Sequence, residues 1–245
     1  MVFEKINSKV VKVDVGRAGG VVARKGAMLF YTGQIQFSPH QIPGAGGMPG
    51  LGGMPGLGGM GAVAGMAGRM MRGEHEATMM AQGHGEVHYG FGGLAVHVID
   101  MPQGGTVTAD ASRTLGYTAG LQASIVSMTS QGNGGGGGRG GGLMGALRGA
   151  ATGALTGDGM FTTQLQGMGS VVLLAHGEVL EIPVGGQYPV IVDPQAFVGT
   201  FGNVQTQLKS TAGWRDAVGR GAGEAMQLQC HGQGTVFVQA SEEKL

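Results

Sequence analysis

The chain has 245 residues, long enough to bury a full core, and its 15 lysines and arginines balance its 15 aspartates and glutamates. That neutral total gives no argument for nucleic acid or an acidic substrate as partner. Charged residues are only 12% of the chain, about half the usual ~25%, so a monomer would struggle to keep its surface wet and a homo-oligomer that buries part of it is expected.

The N-terminal stretch MVFEKINSKVVKVDV alternates charged and apolar residues and has no apolar core of the kind a secretory signal needs, so none is expected. From Val11 a period-two run (Val11, Val13, Val15) leads to the pair Gly19-Gly20 and then to a second apolar run. The same order returns with Leu94, Val96 and Val98 before Gly104-Gly105, and with Leu180 and Ile182 before Gly185-Gly186. A Gly-Gly pair between alternating runs predicts a two-residue hairpin, because two residues at positive φ match the twist of the flanking strands.

Each opening half is answered by a closing half. These are GEHEATMMAQGHGEVHYG from Gly73, GDGMFTTQLQGMGSVVLLA from Gly157 and GEAMQLQCHGQGTVFVQ from Gly223. Each carries a Gly-x-Gly core: Gly83 and Gly85, Gly167 and Gly169, Gly232 and Gly234. A phosphate cradle would need a strand before and a helix after, whereas these glycines lie between strand-like runs with no Gly-Lys-Ser/Thr following. They are read as structural, marking tight β turns or bulges. The expected fold is all-β: a single domain, 1–245, of three internal repeats (about 1–90, 91–176 and 177–245).

Between the halves lie three inserts, 39–72, 129–156 and 209–222, which hold most of the unusual composition. Each nets two positive charges, +6 in all, leaving the rest of the chain at −6. If the repeats are symmetric, the inserts leave from equivalent points and gather on one face. Insert one runs from Gln41 to Gly68 without a charge, rich in glycine and methionine, and ends with Arg69 and Arg72. Short helical spacing places Met66 with Met70, Leu143 with Leu147, and Trp214 with Val218, beside Arg139, Arg148, Arg215 and Arg220. Apolar groups that can enter an acyl boundary, flanked by arginines for anionic head groups, point to an anionic membrane surface or a membrane protein as partner. The expected location is cytoplasmic, peripheral at the inner face of the membrane. Glycine and proline make up about half of insert one, which excludes a spanning helix. Two other readings stand beside this one: a small-ligand-binding β protein with a pocket between repeats, and a purely structural assembly with the inserts buried between subunits.

No catalytic arrangement is legible, so no enzyme is expected. Gly167-Met168-Gly169-Ser170 lacks the strand-to-helix setting of a nucleophile elbow. His84 and His88 are four apart, which on a strand separates them by ~13 Å, too far to share an ion. His75, His97, His176 and His231 fall at unrelated places, so neither a metal nor another cofactor is expected. The one cysteine, Cys230, excludes an intramolecular disulfide, fits a reducing compartment and reads as a small buried apolar side chain. Nucleic acid is disfavoured because aromatics are 5% of the chain and the basic inserts contain only Trp214 for stacking.

Four stretches together carry a resemblance: GGVVARKGAMLFYTG, GDGMFTTQLQGMGSVVLLAHGEVLEIPV, VDPQAFVGTF and GWRDAVGRGAGEAMQLQCHGQGTVFVQ. In their order the chain resembles the altered-inheritance-of-mitochondria family of TRAP-like (tryptophan RNA-binding attenuator-like) β proteins, over nearly its whole length apart from the first two inserts. The resemblance implies TRAP-like β units in a sandwich or double-stranded β-helix-like core, and self-assembly. It also implies a link to inner-membrane organisation for the mitochondrial relatives, and it supplies no catalytic residue.

Overall fold

A computed structural model describes residues 2–42, 77–127, 161–210 and 226–242. Those residues are nearly all β, in one sheet system of thirteen strands with a four-residue helix and one 3-10 turn. The chain opens with the hairpin β1 (Phe3–Asn7) and β2 (Val10–Asp14), where Val11 and Val13 point inward and Lys12 outward. The helix α1 (Val15–Ala18) follows, capped by the Asp14 carboxylate, which accepts from Arg17 N–H at 3.1 Å, and closed by Gly19 at φ 68°. Then come β3 (Val21–Arg24), β4 (Met28–His40) and β5 (Thr78–Tyr89).

The strand β5 is the centre of the first region. Along one edge it pairs with β2 over its C-terminal half, as in Val13↔Val87, and with β3 over its N-terminal half, as in Val21↔Ala81. Along the other edge it pairs with the whole of β4.

That arrangement recurs. The strand β6 (Ala95–Asp110) pairs with β9 (Phe161–Ala175) in two stretches, Ala95 to Met101 and Gly105 to Asp110. On the other edge of β9 lie β7 (Thr114–Thr118) and β8 (Gln122–Ser127). In the last region β13 (Met226–Gln239) pairs with β10 (Val179–Val184) and β11 (Val190–Val192) on one edge and β12 (Phe197–Ser210) on the other.

The Gly-Gly pairs are therefore not hairpins. The segments before and after each pair lie along the same edge of one long neighbour. The connection between them steps past the middle of that neighbour as α1, as the bulge 102–104 or as the loop 185–189. Local alternation is the same for two strands that pair with each other and two that share a third, so the sequence pattern alone favours the commoner hairpin.

The six motif glycines are not turns either. They sit inside the uninterrupted strands β5, β9 and β13, at the level of those steps. Gly83, Gly85, Gly167, Gly232 and Gly234 have φ between 113° and 155°, which L side chains rarely adopt. A Cβ on Gly85 would stand 2.0 Å from the Thr32 carbonyl oxygen, and one on Gly234 2.0 Å from that of Phe201. Glycine here lets a long strand keep its ladder through a local distortion, with the opposite backbone close against it.

Three apolar clusters form the core. The first joins β2, β3 and β5 to Leu115, Val172 and Leu174, and the second joins β6 and β9 to Val22, Val198 and Phe237. The C-terminal half of β9, Ser170 to Ala175, is buried on both faces because it lies between these clusters. A strand covered twice reads as an unbroken apolar run, as SVVLLA does. The third cluster, with Val184, Val192, Val204, Leu228 and Cys230, holds residues of the last region alone.

Candidate interaction surfaces

The three inserts leave the fold at matching places. Each long strand and its return partner end as a paired hairpin tip: His40↔Thr78, Ser127↔Phe161 and Ser210↔Met226. Strand pairing runs past the expected insert boundary at two of them, since Pro39 and Lys209 are still in ladder register. Arg69, Arg72, Arg139, Arg148, Arg215, Arg220, Met66, Met70, Leu143, Leu147 and Trp214 lie outside the described residues.

A second surface lies on β4. Met28, Leu29, Phe30 and Tyr31 form an exposed run at its N-terminal end, with the Phe30 ring stacked on His88 at 4.1 Å between centroids. Sequence reasoning passed over this run. Its signal is a comparison of MLFYTG with the matching TLGYTAG and FVGTFG, where Phe30 takes a place that is glycine in the other two.

The remaining polar features hold the fold together. Arg113, buried at the end of the 3-10 turn Ala111–Arg113, donates to the Gln239 side-chain carbonyl and to the Gln195 carbonyl (3.0 Å). Gln239 accepts also from His176 N–H (3.0 Å) and donates to the Ser241 carbonyl (2.8 Å). Burial lowers the Arg113 pKa, opposed by the nearby Asp110 charge. A buried guanidinium is tolerable only with such partners, and these tie the middle of the chain to its last strand. Ser170 donates its hydroxyl to Asp100 (2.5 Å) and its N–H to Thr118 Oγ1 (3.1 Å), a clamp beside the Gly167 distortion.

Burial pushes the Cys230 thiol up to about 12, so it is an inert apolar group, as expected from its neighbours. Burial also lowers the His97 pKa, with the Glu181 carboxylate, 3.5 Å away, acting in the opposite direction. Among the described residues no group of histidine, cysteine, aspartate or glutamate is placed to hold a metal, and no helix is long and apolar enough to cross a membrane. A recess between β3 and β7, lined by Arg24, Thr78, Thr114 and Tyr117 among others, has a volume of about 20 Å³. That is the room of a single water rather than of a ligand.

The class so defined is an all-β protein in which one pairing scheme, centred on a glycine-distorted long strand, is used three times. A family model described as Mitochondrial biogenesis AIM24 matches residues 2–241, and the chain belongs to that family. Among solved structures, the crystal structure of protein SPYM3_0169 from Streptococcus pyogenes aligns with 98% of this chain and 92% of its own. The TM-score is 0.62 and the sequence identity 15%, a likeness of fold alone. No curated protein matches.

Proposed function

We propose that this protein is a non-enzymatic, homo-oligomeric scaffold that meets an anionic membrane surface through its three basic, Gly/Met-rich inserts. The observation that supports the reading is the set of ladder ends flanking the inserts: His40↔Thr78, Ser127↔Phe161 and Ser210↔Met226 are matching ends of the pairing scheme, and each flanks one of the basic inserts. Arginines supply the attraction to anionic head groups, and Met66, Met70, Leu143, Leu147 and Trp214 supply the apolar contact. A peripheral position on the cytoplasmic side of a membrane goes with this reading. The three sets of pairings are read as TRAP-like units of one domain, and the family's mitochondrial-biogenesis description fits a role in membrane organisation.

Co-sedimentation with vesicles tests it. The full chain is expected to pellet with vesicles rich in anionic lipid and to stay in solution with neutral ones. Replacing Arg69, Arg72, Arg139 and Arg148 with glutamate should abolish the difference. Equal binding to both vesicles, or to neither, overturns the electrostatic reading. Capture of a membrane protein in place of lipid would favour the membrane-associated-partner version.

A further inference from the structure

The three long strands fix a residue-by-residue correspondence. Val21, Val107 and Val190 pair with Ala81, Leu165 and Cys230, and each of those lies two residues before the first motif glycine. Likewise Tyr31, Tyr117 and Thr200 pair with Val87, Val171 and Val236, each two residues after the second. Inside the chain this correspondence is used to join neighbours twice. The strand β3 pairs with β7 through Val22↔Tyr117, and β6 pairs with β12 through Thr108↔Thr200.

The third equivalent joint would bring β11 to β4, and the described pairings contain no such ladder. Both halves are left open, with consequences for burial. Leu115 and Val198 are 1% and 0% exposed at the internal joints, whereas their counterpart Leu29 is 53% exposed, beside Phe30 at 53% and Tyr31 at 45%. On the other half Ile191 is exposed, and so is Tyr188 in the preceding loop. Two other open edges carry the usual protection, Glu4 and Lys5 in β1 and Glu181 and Pro183 in β10. The run MLFYTGQ at the start of β4 has neither charge nor proline.

We propose that this stripe is a docking surface for a second copy of the chain, which seats its β11 side on Leu29, Phe30 and Tyr31. The occupant is argued from the two joints the chain already makes, in which this strand is covered each time by the same element of the preceding region. Among the three described regions, only the first has a β4-type strand that none of the others covers, and only the last has a β3-type strand that covers none. A second copy supplies both in a head-to-tail contact, which closes into a ring or continues as a filament according to the rotation per copy. The proposal rests on the self-assembling reading and names its surface.

One substitution sets the contact between copies apart from the internal ones. Gly116 faces Ala23 and Gly199 faces Ala109, and a Cβ on either glycine would stand 2.8 Å from a carbonyl oxygen, that of Val22 or of Thr108. The corresponding pair between copies is Phe30 with Val192. The close backbone approach of the internal joints is thereby excluded, and the copies meet through side chains in a wider, separable seam.

Mixed single-cysteine variants test this. Tyr31→Cys and Ile191→Cys chains, mixed and treated with a short bismaleimide, should give at least a ~5-fold excess of cross-linked dimer over either variant alone; the buried Cys230 thiol does not compete. Phe30→Asp should shift the light-scattering mass of the full chain to that of the monomer with an unchanged circular-dichroism spectrum. Cross-linking of Tyr31→Cys to itself, or only within one chain carrying both cysteines, overturns the proposal. An oligomer that neither cross-links in the mixture nor responds to Phe30→Asp overturns this seam and leaves the self-assembling reading standing; a monomeric wild type overturns both.

Discussion

The strand β7 and the first residues of β4 are the same piece of the pattern in two situations. Leu115 and Leu29 are the same residue type at corresponding places, yet one is sealed under β3 and the other faces outward. Locally they differ by one telling neighbour, Phe30 after Leu29 where Gly116 follows Leu115. The difference in burial is whether another described region covers the strand, and it teaches that burial in such a fold is assigned by the pairing partner as much as by side-chain chemistry.

The comparison breaks most sharply if the two are made alike. Gly116→Phe, which copies Phe30 into β7, should pry β3 away and cost more than about 4 kcal/mol in denaturant unfolding, because even its Cβ meets a backbone oxygen. A loss below about 1 kcal/mol would show that the internal joint is slack and that Phe30 does not forbid a tight seam. A smaller effect separates the leucines themselves. Leu115→Ala should cost about 3 kcal/mol, the usual range for a buried leucine, while Leu29→Ala should stay within about 0.5 kcal/mol in dilute monomer. A Leu29→Ala loss that grows with protein concentration would mark that leucine as buried by assembly.

The smallest expected effect concerns His97, which packs at an inner contact against the Phe237 ring, 5.2 Å between centroids. Burial holds its pKa below the ordinary value of about 6.5. The folded state therefore prefers the neutral ring. The stability this contributes is fully present above about pH 6.5 and is lost as pH falls through the lower folded value. A melting-temperature series from pH 7.5 to pH 5 should show a modest decline that His97→Phe flattens. An identical slope in that variant would assign the decline to other groups. Together with the vesicle and cross-linking experiments, these measurements test the proposed division of the molecule into a core that tolerates little and two outer surfaces for partners.

Much of the fold was legible in the sequence, and what was missed has identifiable causes. The all-β character, the inertness of Cys230 and the family followed from alternation, local charge and ordered motifs. The Gly-Gly pairs were read as hairpins because alternation reports which face a residue uses and not which strand it pairs with. The motif glycines were read as tight turns or bulges because positive φ inside an unbroken strand is rare, and only the opposing carbonyls of Thr32 and Phe201 show what glycine is for there. Phe30 could be seen against Gly116 and Gly199 by alignment, but its meaning rests on a distance to a backbone oxygen that no sequence states.

By itself, then, the sequence determined that this is a glycine-punctuated β protein of the AIM24 family. Tertiary structure alone decided that the long strands run unbroken through their glycines and that, among the described residues, two of three equivalent joints are made within the chain. The reason is physical: periodicity is written locally, one residue after the next, whereas the identity of a pairing partner is settled by backbone contacts between residues far apart in the chain.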